Sequence, residues 1–271
     1  MRLCSLVLLV ATLGAQACVG SGPPQSTVHT LELPAPPSPV APRVPASILS
    51  AHFAQDNVPS LEGADVLSVV FSVELDASTV VAEHFVIARE DGTRARPKLA
   101  LLSPTNESDE NRTVLLLGDF GGPDDRPATN IAVSGAVYSE AGESLRGLAA
   151  AVLAFETPPT VVFAEQLPPR QGRCAGAASM IRTYWTEGLR DLDPKALARL
   201  EISTEAGVNA HPSAVDDQAS PGQDGADDNV LDLCLKAAVR PVRLRLPAGV
   251  LKDAAGHANE AVDVDVASGA G

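Results

Sequence analysis

The sequence predicts an all-β chain of two sandwich domains in tandem, and three observations predict it. From Ala46 onward, apolar and β-branched residues fall in short runs with partial alternation, separated by turn-forming residues. The stretch "VYSEAGESLRG" (137–147) returns as "VLKDAAGHANE" (250–260). "FSVEL" (71–75) also returns as "WTEGL" (185–189), displaced by 114 residues, against 113 between Val137 and Val250. A near-constant displacement at two distant anchors is the mark of one unit written twice.

The elements follow in order. Residues 1–17 read as a secretory signal: Arg2, an apolar run from Leu3 to Leu13 that is too short to span a membrane, then Gly14-Ala15-Gln16-Ala17. Two processing readings compete at the same bond. Ala15-Gln16-Ala17 suits ordinary signal peptidase, while small residues before Cys18 resemble the bacterial lipobox, apart from Ala15, where that pattern prefers Leu, Val or Ile. Cysteine parity favours the second. Cys4 leaves with the signal, and Cys18, Cys174 and Cys234 are an odd set for an oxidising compartment unless Cys18 carries lipid. Residues 18–45 are Pro-rich and aperiodic, a semi-extended linker suited to holding a domain off a membrane.

Residues 46–157 supply seven expected strands: 48–55, 65–75, 83–90, 98–102, 113–117, 130–137 and 149–156. Asp91-Gly92 signals a hairpin, and Ser103–Arg112 a hairpin loop. Seven short strands in about 110 residues, with turns at such intervals, is the immunoglobulin-like sandwich pattern. Thr157-Pro158-Pro159 marks a boundary, since Pro breaks strands. Over 158–268 the series restarts with runs at 160–167, 178–189, 197–204, 229–235, 242–251 and 260–267.

Composition limits the function. Apolar residues make up 45% of the 271 and aromatics only 3%, so the cores must be built from Val, Leu, Ala and Ile. With 34 acidic against 20 basic residues and a formal charge of -14, the chain repels phosphate backbones, and no nucleic-acid partner is expected. The charge chiefly favours solubility.

In the first copy Phe71-Ser72-Val73-Glu74-Leu75-Asp76-Ala77-Ser78-Thr79-Val80 precedes Ser139-Glu140-Ala141-Gly142-Glu143-Ser144-Leu145. In the second, Trp185-Thr186 precedes Asp253-Ala254-Ala255-Gly256-His257-Ala258, and Leu192-Asp193-Pro194 replaces the Asp-x-Ser-Thr of the first. These residues resemble the bacterial Ig-like domains of the SbsA/Big_5 type, more closely over 48–156 than over 157–268. The resemblance implies structural roles. Phe71 and Trp185 would fill the core between two sheets. Gly142 and Gly256 would take positive φ at a turn, with Glu140 and Asp253 capping nearby N–H groups.

Catalysis finds no constellation of residues. H-E-x-x-H, G-x-S-x-G, G-x-G-x-x-G and phosphate-loop patterns are all missing from the sequence. The five histidines, His29, His52, His84, His211 and His257, are scattered; His52 and His84 read as surface or satisfied strand residues. Cys174 and Cys234 have no C-x-x-C partner and read as a disulfide, closing a loop of 60 residues worth roughly 4 kcal/mol by chain entropy. Residues 216–232 hold six carboxylates, Asp216, Asp217, Asp224, Asp227, Asp228 and Asp232, in an order matching neither the EF-hand nor the glycine-rich nonapeptide pattern. They read as a solvated insertion, so no metal and no cofactor is expected. The favoured function is a non-catalytic, membrane-tethered lipoprotein of the outer membrane or cell surface, with modules acting as spacer, scaffold or adhesion surface toward an envelope protein or polysaccharide. The alternative is a ligand-binding accessory lipoprotein recognising polysaccharide or peptide, against which the single Trp and two Tyr weigh.

Overall fold

A computed structural model describes residues 45–54, 64–102, 111–121, 126–169, 173–190, 195, 198–216, 228–253 and 255–269. The first copy contributes β1 (Ile48–Ala54), β2 (Asp65–Phe71), β3 (Phe85–Arg89), β4 (Arg94–Ala95), β5 (Leu99–Leu102), β6 (Thr113–Gly118), β7 (Ala128–Val133) and β8 (Ala149–Ala151). They form two antiparallel sheets, ordered β1-β2-β6-β5 and β4-β3-β7-β8. The second copy contributes β9 (Val161–Leu167), β10 (Ser179–Arg190), β11 (Glu201–Thr204), β12 (Asn209–Ala210), β13 (Ala214–Asp216), β14 (Asp228–Leu235), β15 (Pro241–Leu246), β16 (Lys252–Asp253), β17 (Val262–Asp265) and β18 (Ala267–Ser268). Its sheets run β13-β14-β10-β9-β18, with β16 also paired to β10, and β12-β11-β15-β17; β13-β14-β10-β9 and β12-β11-β15-β17 repeat the first copy's order, to which β16 and β18 are added. Both copies are immunoglobulin-like sandwiches.

The inner faces carry one apolar core each. Leu67, Val69 and Phe71 of β2 meet Val114, Leu116, Phe85 and Ile131 in the first; Ile181 and Trp185 of β10 meet Leu231, Leu233, Ile202 and Leu244 in the second. Phe71 and Trp185 are buried, and the indole N–H donates to Thr183 Oγ1 at 3.1 Å.

The repeat is visible bond by bond. Each first strand carries one extra residue, Leu49 or Val162, at the same place opposite the Val70-Phe71 or Tyr184-Trp185 step. The hydroxyl residue after the aromatic then clamps the start of that strand. Ser72 N–H donates to Ser47 O at 2.9 Å while Ser72 Oγ accepts from Ser47 N–H at 2.9 Å. Thr186 and Thr160 repeat this pair at 3.0 and 3.2 Å. Each copy also closes on its first strand in parallel: His52 bridges Leu153, and Glu165 of β9 pairs Ala267 of β18.

Several expected bounds move. The hairpin at Asp91-Gly92 pairs β3 with β4, and the second copy pairs β11 with β12. These two-residue strands are too short to show alternation, and with β4 the first sandwich has eight strands. The run at 130–137 ends as a strand at Val133, because Ser134 and Gly135 N–H both turn to His84 O. The run at 149–156 ends at Ala151, after which Leu153 N–H donates to Ala51 O on the opposite sheet.

Candidate functional site

By pairing and hydrogen bonding, Ser139 and not Glu140 takes the position of Asp253 in the anchor turns. Leu75 pairs Ser139 as Leu189 pairs Asp253, so the displacement is 114 residues here as well, and Val137 answers Leu251 rather than Val250. Gly142 (φ +78°) and Gly256 (φ +91°) sit in the left-handed region and donate to Ser139 O and Asp253 O. Asp253 Oδ1 accepts from His257 N–H at 2.7 Å, and Ser139 Oγ accepts from Glu143 N–H at 3.0 Å. Only the first turn residue, with a short side chain, reaches that amide. Glu140 is exposed, one position further on.

What distinguishes the chain lies on the outer faces. Val66, Ser68 and Val70 alternate with the inner residues of β2 yet are buried, as are Met180, Arg182 and Tyr184 on β10. Burial on both faces is why β2 reads as a near-continuous apolar run. Residues 44–271 form a single unit, and within it the outer face of β1-β2 packs on that of β9-β10. Val70 and Leu49 cluster there with Tyr184, Val230, Val162 and Phe163. Arg112, 9% exposed, crosses the junction. Its guanidinium carbon lies 4.9 Å from the Phe163 ring centre and 5.7 Å from that of Tyr184, and its Nε lies 3.4 Å from Glu165 Oε1. Tyr184 O–H donates to Glu165 Oε1 at 3.3 Å. Burial, then the Glu165 charge, pushes the phenol well above its ordinary range. Burial also raises the carboxyl of half-buried Glu74, against the pull of Arg112. Asn229 Nδ2 donates to Thr113 Oγ1 across the junction at 2.9 Å.

Beside this lies a buried ionic row, Glu165–Arg182–Asp232, on adjacent strands in register. Arg182 and Asp232 have no exposed surface. Arg182 donates through Nε and Nη2 to the two Asp232 oxygens, both at 2.8 Å, and Arg173 Nη1 donates to Asp232 Oδ2 at 2.9 Å. Cys174 and Cys234 are joined, with a Cα–Cα distance of 5.2 Å, and pack with Met180 and Leu167. Cys174 is a non-glycine residue at φ +50°, and its N–H donates to Asp216 Oδ2 at 2.6 Å. Two of the six carboxylates counted in 216–232 are therefore committed within the fold. Asp217, Asp224 and Asp227 lie outside the described residues. The one metal-like grouping among the described residues, Cys174, Asp216 and Cys234, has both sulfurs in the disulfide.

His52, expected at the surface or satisfied within its strand, is wholly buried at the junction with Nε2 3.1 Å from Thr157 O. His84 Nδ1 lies 3.0 Å from Thr79 O, and His211 Nδ1 2.7 Å from Leu200 O. Cys18 and His29 lie outside the described residues. Sequence reasoning missed Arg112, Glu165, Arg182 and Asp232 as a set. The available signal was a single charge, Glu165 and Asp232, inside each of two largely apolar runs that flank the strand of Arg182, acid–base–acid across neighbouring strands. A groove of about 290 Å³ opens where the first sandwich ends, walled by Phe53, Pro127, Val152 and Phe155, with Glu90 and Glu156 along it.

No protein-family model matches the chain, and no curated protein matches it. Solved structures that resemble it include the N-terminal part of the bacterial S-layer protein SbsC, at 12% identity over 82% of this chain and a TM-score of 0.30. Domains 1–6 of SbsC match at 13% identity over 83% of the chain with a TM-score of 0.29, and SbsC(31–844) at 13% and 83% with 0.31. The chain spans 44% of the first of these structures and 26% of the other two.

Proposed function

We propose that the chain is a non-catalytic envelope lipoprotein, tethered through Cys18 and carried by its Pro-rich stretch, whose two sandwiches act as a docked spacer and scaffold. The observation that supports it most is the junction. Arg112 lies over Phe163 and Tyr184 in a desolvated contact, an arrangement that holds two modules at one angle. The module boundary in this reading is Pro158-Pro159, with 46–157 on one side and 158–268 on the other. Its partner is an envelope protein or polysaccharide met through the outward loops and sheets. Cys18→Ala should leave the protein unprocessed or soluble, while wild type partitions with detergent. Unchanged membrane fractionation of the variant would remove the tether from the proposal. A second reading, peptide recognition, is favoured by the groove between Phe53 and Phe155 and its two glutamates, which suit an apolar side chain next to a cation.

A further inference from the structure

We propose that docking of the two sandwiches is released by acid, through protonation of His52 at their junction. His52 stands on the outer face of β1 with no exposed surface. Its Nε2 lies 3.1 Å from Thr157 O in the segment between the sandwiches. A carbonyl only accepts, so the neutral ring carries its proton on Nε2 and leaves Nδ1 as a lone pair. Nδ1 has no hydrogen-bond partner among the described residues. A second proton therefore creates a buried cation and a donor with nothing to receive it.

The facing charges do not cancel that cost. Glu187 of β10 approaches Nε2 at 3.7 Å, and the charge of Asp253 on β16 also favours the imidazolium. Asp253 is already held by His257, whose N–H and Nδ1 lie 2.7 and 2.8 Å from its two oxygens. His257, once charged, repels His52 in turn. Burial is the largest influence and lowers the proton affinity of His52 from its ordinary value of 6.5, ahead of the opposing Thr157 bond and Asp253 charge.

The sign follows from linkage. A ring that binds protons less well docked than undocked favours docking fully above pH 6.5, and progressively less as pH falls below it, until the docked ring itself titrates. For one proton the docking equilibrium weakens by at most about tenfold per pH unit in that window. The charged groups that act on His52, and the carbonyl it meets, come from the second sandwich or the connecting segment, and neither apolar core contains any of them. The cost thus falls on the junction and leaves each sandwich folded.

The inference rests on the reading of a docked pair and not on the tether. Small-angle scattering of the full chain should show a larger radius of gyration at pH 5.5 than at pH 7.5, with the far-ultraviolet β signal unchanged. His52→Gln keeps an N–H for Thr157 O without titrating, and should stay compact at both values. No expansion of wild type at pH 5.5, or equal expansion of His52→Gln, overturns acid release. An expanded wild type already at pH 7.5 instead overturns the docked pair. Should the variant fail to fold, wild-type NMR decides: the Val70 methyl and Tyr184 ring signals should shift with the midpoint of the His52 ring, below 6.5, and an unrelated midpoint overturns the proposal.

Discussion

The two sandwiches share an interior and differ on their skins. Inside, Phe71 and Trp185 occupy one position, clamped by Ser72 and Thr186 through the same pair of bonds. Outside, the first copy presents Val66, Leu115 and Leu117 in an apolar cluster, whereas the second presents the Arg182–Asp232 pair and the disulfide. The shared plan fixes which residues face inward, because only those must fill the gap between sheets. The outer face is released from that constraint and carries what individualises each copy, including the contact between them.

The largest test of the shared interior is truncation of its aromatic. Phe71→Ala and Trp185→Ala should each destabilise their own sandwich by about 3–5 kcal/mol in urea unfolding. Similar losses in the two variants support equivalent positions, and a loss confined to one breaks the comparison. Next comes the outer face, where the copies should diverge. Cys174→Ala with Cys234→Ala should cost about 2–4 kcal/mol in the second sandwich alone, read as a fall in its melting temperature. An equal fall in the first sandwich would mean that the copies do not unfold separately. The smallest effect is the hydroxyl clamp. Ser72→Ala and Thr186→Val should cost about 1 kcal/mol each. Losses that differ greatly would separate two bonds that the repeat makes equivalent.

The interior was legible in the sequence and the exterior was not. Partial alternation marks 65–75 as a strand with Phe71 in the core, and the repeated "FS" and "WT" steps tie the copies together. The second anchor was read one residue out, because Glu140 matches Asp253 in chemistry while Ser139 matches it in geometry. Sequence similarity favours the like charge; the turn requires the short side chain. The junction was hidden for a different reason. Arg112 ends a polar stretch and Glu165 lies inside an apolar run, and nothing local tells either that the other lies 3.4 Å away. The repeat did hold a trace of it, since His52 and Glu165 occupy the same position opposite Leu153 and Ala267 and both turn to the neighbouring sandwich.

Those closing bridges have a mechanical meaning. In each sandwich the first strand and the returning segment run parallel and side by side: β1 beside Leu153, β9 beside β18. The chain therefore enters at one end of the pair and leaves at the other. Tension drawn through the chain loads the bonds between them, such as Phe53 N–H to Leu153 O and Gly269 N–H to Gln166 O, across their length and together. An antiparallel pair pulled from adjacent ends would instead open one bond at a time, like a zip. The same geometry twice in series gives a strand of linked modules that resists being stretched.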